Sequence, residues 1–505
     1  MSHPTDPADV LIVGGGSAGA VLAARLSEQP DRRVVLLEAG PAYEAADFPA
    51  ALLDAGRIAD PDHDWGYTSR AGRSGQTIPT PRGKVLGGSS TVNAGSALRP
   101  RPVDFAAWAD EHDLPDWTFA DVLPFFRDLE NTPTGEDAYH GRTGPMPVRQ
   151  RADEDLTPAQ RAFIEAGLAQ GHRRVADFNG AEQHGIGGHA LNVVDGVRQN
   201  TALVYLTPKV RVRPNLTVIG DVTVDRVLFR GTTATGVVTA DGTVHTAREV
   251  ILSAGSYGSA AILLRSGVGP ADDLAALGID LIASLPVGRR LQDHPFFHTI
   301  YALAPGHLDM TPPLGAMVWT ASTEAVGDEL DLQVVAAHPP EAPFSPTGGA
   351  FVLSAALVGP ESHGTLRLAG RDPLAAPLID DNYLGTERDR RRMLEGVKLA
   401  RDLARDPALA PHLAGLLIPG ELPADDEDLM RFIEANLAVY GHPTSTAPMG
   451  GPADPWAVVD SRGAVKGVNA LRVVDASIIP RVPSTVTNLT TIMLAERIYQ
   501  LIYAS

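Results

Sequence analysis

Hydrophobic residues recur along this chain in two rhythms. The first is a short unbroken run: Val10, Leu11, Ile12 and Val13, then a second run ending at Glu38, each long enough for one strand. Runs of this kind, apolar on both faces, predict strands covered on both sides. Between them Gly14, Gly16 and Gly19 open a stretch of helical pattern. Leu216 to Val238 and Val244 to Leu252 add further β-rich runs. The second rhythm is helical. Arg388 to Ala404 places Met393, Leu394, Val397 and Leu403 at helical spacing, and Asp425 to Leu437 reads similarly. From Leu489 onward Ile492, Met493, Ile498, Leu501 and Ile502 share one helical face, which puts Asn488 at a helix start. There is no internal repeat and no low-complexity linker. The order of elements predicts an α/β protein with a Rossmann-like nucleotide-binding unit.

The first glycine segment is where chemistry enters. Glycines at a strand-to-helix turn let backbone N–H groups approach a pyrophosphate, and the positive helix end faces the anion. Such turns also form without a ligand. Here Glu38 follows Gly14 by 24 residues, close to the roughly 20 at which an acidic side chain meets a ribose diol. Strands, glycines and acid together predict a dinucleotide site made of Gly14, Gly16, Ser17, Ala18, Gly19, Glu38 and Ala39.

Composition narrows the function classes. The 505 residues are 44% hydrophobic and 20% charged, an ordinary globular balance. Fifty glycines and 41 prolines predict many irregular connections. A net charge of −19 argues against nucleic acid and anionic membranes. The absence of cysteine excludes disulfides, thiolate catalysis, thiolate-ligated clusters and thiol-linked flavin. No basic-then-apolar leader opens the chain, and no run reaches the roughly 18 apolar residues of a membrane span; a cytoplasmic location is the expectation.

A second segment, PRGKVLGGSSTVNAGSALR at 81–99, combines Arg82, Lys84, Gly83, Gly87, Gly88, Ser89, Ser90, Asn93, Ala94 and Gly95. It can curve around a planar or anionic ligand. Together with SAGSYGSAAILLRSGVGP at 253–270, it resembles the two signature segments of the glucose-methanol-choline (GMC) oxidoreductases, FAD-dependent enzymes that oxidise alcohols. VGRRLQDHP at 287–295, GTLRLAGRDPLAAPLIDDNYL at 364–384 and VVDASIIP at 473–480 resemble family blocks in the same order. The resemblance covers nearly the whole chain.

It implies a Rossmann-like FAD-binding domain assembled from residues 1–160, 195–300 and 443–505, and a sheet-and-helix substrate domain from 301–442 with parts of 161–194. It adds Val224 near adenine, Arg82 and the 87–95 segment beside the isoalloxazine or pyrophosphate, and Ala254 and Gly255. Asp475, Ala476, Asn488, Leu489 and Thr490 complete the cofactor contacts at the C-terminal end. Some relatives attach FAD through a histidine where this chain has Val92, so non-covalent FAD is expected.

Alcohol oxidation needs a base for the hydroxyl proton, and histidine titrates in the useful range. His442, in YGHPTSTAPMG, resembles the family's active-site base, and Asn488 its second catalytic position, 46 residues on. The implied activity is hydride transfer from a CH–OH carbon to flavin N5, with oxygen or another acceptor reoxidising the flavin. Where the family has glycine and a basic residue in this loop, the chain has Ser445 and Pro448, so a different loop path is expected. Gly441 replaces a larger side chain and suggests room for a bulky polar alcohol such as a sugar or aminoglycoside. A FAD-retaining hydroxynitrile lyase and a non-enzymatic flavoprotein are the alternatives, while a photodecarboxylase would need a cysteine. Oligomeric state is not legible.

Overall fold

A computed structural model describes residues 7–504; the start of the N-terminal segment, on which the reading of leader and location partly rests, lies outside the described residues. The apolar runs form the centre of a seven-stranded sheet. Its parallel part contains β1 (Ala8–Val13), β2 (Val34–Leu37), β3 (Leu216–Ile219) and the second half of a long strand, β6 (Val244–Leu252). β4 (Val224–Arg230) and β5 (Thr233–Thr239) extend it antiparallel through the first half of β6. The nine residues of β6 thus serve two partners: Val250 to Leu252 pair in parallel with Leu471–Val473 near the C-terminus. That pairing draws the last segment of the chain into the first sheet.

Helix α1 (Ser17–Leu26) leaves the glycine turn after β1, and α2 (Gly255–Arg265) leaves the end of β6. Both helices therefore start from neighbouring parallel strands at the same sheet end, the place where such sheets bind ligands.

A second seven-stranded sheet is antiparallel throughout. Its main strands are β7 (Pro295–Leu303), β8 (Leu314–Thr320), β9 (Leu332–Ala337) and β10 (Ala350–Leu357). Alternation along them divides the side chains between two cores, since successive residues point to opposite faces. Phe297, Val318, Val334 and Ala355 join the core under α3 (Glu387–Arg405) and the helix Pro158–Ala169. Phe296, Met317, Trp319, Val335 and Ala356 face the other way, into the core shared with the first sheet. The second sheet is therefore packed on both faces, and β7 begins at the junction of the two cores.

The helical stretch read as 388–404 is the nineteen-residue α3, and that read as 425–437 is Asp426–Ala435. Thr386 caps α3 by accepting from the Asp389 N–H at 3.1 Å, a contact worth about 1 kcal/mol. Among the described residues no helix is long and apolar enough to cross a membrane, and no group of His, Asp and Glu side chains is arranged to hold a metal.

Candidate active site

Glu38 is bent into the glycine turn. Its Oε2 accepts from the Gly15 N–H at 2.7 Å and its Oε1 from the Gly40 N–H at 3.0 Å. Burial still outweighs those bonds and pushes its carboxyl up to about 7. Gly14 has φ +96°, and a Cβ there would lie 2.5 Å from the Ser253 carbonyl. At Gly19 a Cβ would lie 1.9 Å from the Gly14 carbonyl. These glycines bring β1, α1 and the end of β6 closer than side chains would permit. Gly15 and Gly40 were absent from the sequence-derived set; a buried acid beside a glycine turn was the signal that it needs backbone donors.

The second glycine segment closes over the first. The Gly87 N–H donates to the Gly15 carbonyl at 2.8 Å, and a Cβ on Gly88 would lie 2.7 Å from the Gly16 Cα. Gly88–Thr91 forms a 3₁₀ turn. Ser89 Oγ accepts from the Gly83 N–H at 3.2 Å, and Asn93 Oδ1 from the Gly95 N–H at 2.9 Å, so both side chains shape the loop. Ala94 follows Asn93 within it, and Val92 is buried.

The C-terminal residues divide into a tie and a pair of open donors. Asp475 spends both oxygens on protein: Oδ2 accepts from the Gly255 N–H at 2.9 Å and Ser259 Oγ at 2.5 Å, Oδ1 from the Ser477 N–H at 2.8 Å. It anchors Ala254, Gly255 and the start of α2 to the turn at Ala476. The C-terminal helix α4 (Asn488–Tyr503) has Thr487 as its N-cap, so Asn488 is its first residue. Asn488 Oδ1 accepts from Ser17 Oγ at 2.8 Å, which brings the positive ends of α1 and α4 to one point. The Asn488 Nδ2 and Thr490 Oγ1 atoms beside that point are buried without partners, and Leu489 is core. Two helix N-termini, orphaned donors and a glycine cradle fit a pyrophosphate. Val224 is buried in β4 opposite Thr239.

His442 lies in a loop held against residues 292–294. Tyr440 N–H donates to the His294 carbonyl at 3.2 Å and Thr444 N–H to the Gln292 carbonyl at 2.8 Å. This short antiparallel pairing sets residue 442 against residues 293 and 294. Asp293 Oδ1 accepts from the backbone N–H groups of His294 and His442, each at 2.7 Å. The Nδ1 atoms of His294 and His442 are 3.0 Å apart. Tyr440 covers His442 with ring centroids at 4.3 Å and stacks on Phe296 at 4.1 Å. Desolvation, then His294 and Arg82, hold His442 well below its ordinary value, so it is neutral at neutral pH.

The loop departures have defined geometry. Ser445 has φ +65°, the left-handed conformation glycine takes readily, so the loop keeps a glycine-type backbone there. Gly441 has φ +90°, and a Cβ on it would lie 2.6 Å from Arg82 Nη2. A side chain at residue 441 would meet the tip of the Arg82 guanidinium. Asn488, whose carboxamide is held by Ser17, shares no hydrogen bond with His442. His294 and Asp293 belong to the 287–295 block, a segment visible in the sequence whose histidine was given no role.

Comparison with known proteins identifies the family. Two GMC oxidoreductase family models match residues 8–296 and 360–495. Oxygen-dependent choline dehydrogenases from Paraburkholderia phymatum and Vibrio vulnificus are each 35% identical, over 97% and 98% of this chain and 91% and 94% of theirs. Pyridoxine 4-oxidase from Mesorbium loti superposes with a TM-score of 0.90 at 32% identity over 99% of both chains. A formate oxidase of Aspergillus oryzae, studied for its FAD modification, gives 0.89 at 25% over 99% of both. The chain belongs to the GMC oxidoreductases, as an FAD-dependent enzyme acting on alcohols.

Proposed function

We propose that this enzyme oxidises a flat, ring-bearing alcohol with His442 as the general base. The observation that carries the reading is the placement of His442: neutral, partly accessible, backbone-anchored by Asp293 and covered by Tyr440. FAD, held non-covalently because Val92 offers no bonding atom, supplies the hydride acceptor. His442 accepts the hydroxyl proton as the carbinol hydride leaves, and its neutral state means no prior deprotonation is required. Asn488, bonded to Ser17 at the start of α1 with Nδ2 unpartnered, would offer that N–H to FAD.

The substrate class follows from what surrounds the base. Tyr440 and Phe296 form a ring wall beside His442, suited to stacking a planar group. Arg82 occupies the space next to Gly441, which disfavours ammonium groups near the base. That weighs against an aminoglycoside and against choline, and favours an aromatic alcohol; the pyridoxine 4-oxidase likeness points the same way.

The test is anaerobic mixing of the FAD-loaded protein with benzyl alcohol, pyridoxine, choline, glucose and an aminoglycoside, following the flavin band near about 450 nm. Bleaching by the ring alcohols first supports the reading. Bleaching by choline or glucose alone overturns the substrate class, and no bleaching by any alcohol, with FAD reducible by dithionite, overturns the function. Admitting air then separates an oxidase, which recovers quickly, from a dehydrogenase that needs another acceptor.

A further inference from the structure

The 3.0 Å contact between His294 Nδ1 and His442 Nδ1 has a strict consequence for protons. Two neutral imidazoles facing each other through the same ring atom hold one proton between them. Two protons would collide, and none would set lone pair against lone pair. Only two arrangements remain. If His294 carries the shared proton, the proton of His442 sits on Nε2 and that atom cannot act as a base. If His442 carries it, Nε2 is left with a lone pair.

We propose that His294 is the positioning residue that fixes His442 in the second arrangement, with its proton on Nδ1 and Nε2 free to accept the alcohol proton. Burial keeps His294 uncharged, so it meets His442 as a neutral acceptor and not as a repelling cation. A base at Nε2 of His442 needs that residue's own proton on Nδ1, and the 3.0 Å contact then makes His294 Nδ1 its acceptor and leaves the proton of His294 on Nε2, a buried atom without a partner. Asp293 contributes geometry: one oxygen holds the backbone N–H of both histidines, so neither ring can drift from the other. The remaining neighbours are Tyr440, a neutral phenol, and Arg82, which offers no acceptor. When His442 takes a proton on Nε2 it becomes a cation whose Nδ1–H still points at the His294 lone pair. His294 thus serves the base as an orienting acceptor does in a catalytic triad, without a carboxylate.

The inference rests on His442 as base, yet its test does not require turnover. The FAD-loaded protein, labelled with ¹⁵N in its histidines, is examined by long-range ¹H–¹⁵N correlation, which distinguishes the two neutral tautomers. His442→Gln identifies the His442 signals by their loss. The expected result is His442 with its proton on Nδ1, converting in His294→Phe to a mixture or to the Nε2–H form. Finding the Nε2–H form in the unaltered protein overturns the proposal, whether or not any alcohol bleaches the flavin. If His294→Phe does not fold, His294→Leu, which likewise offers no acceptor, gives the same readout, and an unchanged His442 tautomer in a folded variant also overturns it. A failure of His442 as base would be separate: correct tautomer, but flavin reduction undiminished in His442→Gln.

Discussion

Ser17 Oγ donates to Asn488 Oδ1 at 2.8 Å, joining the first residues of two helices from opposite ends of the chain. The bond fixes the carboxamide through its oxygen and leaves Nδ2 buried without a protein partner. An unpaired buried donor costs about 1–3 kcal/mol, which a bound phosphate or flavin oxygen would recover. Asn488→Ala and Ser17→Ala are therefore expected to weaken FAD retention by about tenfold each, and their effects should not add. FAD titration of the stripped proteins measures this. If Asn488→Ala retains FAD normally but reduces it more than about a hundredfold more slowly, Asn488 acts on the substrate oxygen instead.

Gly441 and Arg82 predict a loss that ignores substrate size. An alanine at residue 441 must adopt φ near +90° and move the Arg82 guanidinium, costing on the order of 1–3 kcal/mol. The fall in kcat/KM for Gly441→Ala should be similar for small and large alcohols, because the group an added methyl displaces is Arg82. Adding Arg82→Ala should remove part of the loss, a coupling readable as non-additivity in the double variant. A selective loss for large alcohols would restore the open-space reading.

Local chemistry was legible in the sequence and pairings across distance were not. Gly14, Gly16, Gly19 and Glu38 could be read because the motif needs only neighbours: strand, turn, helix, acid. His442 was singled out through its loop. The role of His294 escaped because it depends on residues 292 and 444 forming a bridge, and pairing register between remote segments has no local signal. Asn488 was read by motif, as a second catalytic position and as a cofactor contact; its bond to Ser17 spans nearly the whole chain and leaves no local signal. Ser445 shows a further limit: its left-handed backbone is imposed by the loop against the residue's own preference.

Glu38 should make cofactor binding depend on pH. Its carboxyl in the FAD-free protein is raised to about 7 from 4.5, so folding favours the protonated form. The stability this contributes is complete below about 4.5 and is lost as pH rises through about 7. A ribose diol donates hydrogen bonds, which the ionised carboxylate accepts best. FAD affinity should therefore rise as pH increases through about 7, while the Tm of the FAD-free protein falls over the range beginning near 4.5. Glu38→Gln should flatten both trends. Melting curves and FAD titrations across that range, wild type against variant, measure the difference.

His442 sets the pH dependence of the chemical step. Because desolvation, His294 and Arg82 hold it well below 6.5, the base is already unprotonated at neutral pH, and the rate of flavin reduction should be flat from about pH 6 to 8. A base with an ordinary histidine value would instead lose about half its rate near 6.5. The fall should come only in stronger acid, and replacing His442 with alanine should lower the plateau by about 10²–10⁴-fold with FAD still bound. Removing Arg82 takes away one of the charges that disfavour the imidazolium, so in Arg82→Ala the acid limb should move toward higher pH. Anaerobic stopped-flow reduction at a series of pH values reads all three effects. An inflection near 6.5 in the unaltered enzyme would mean that the base is solvated when substrate arrives, and that Tyr440 does not cover it during the reaction.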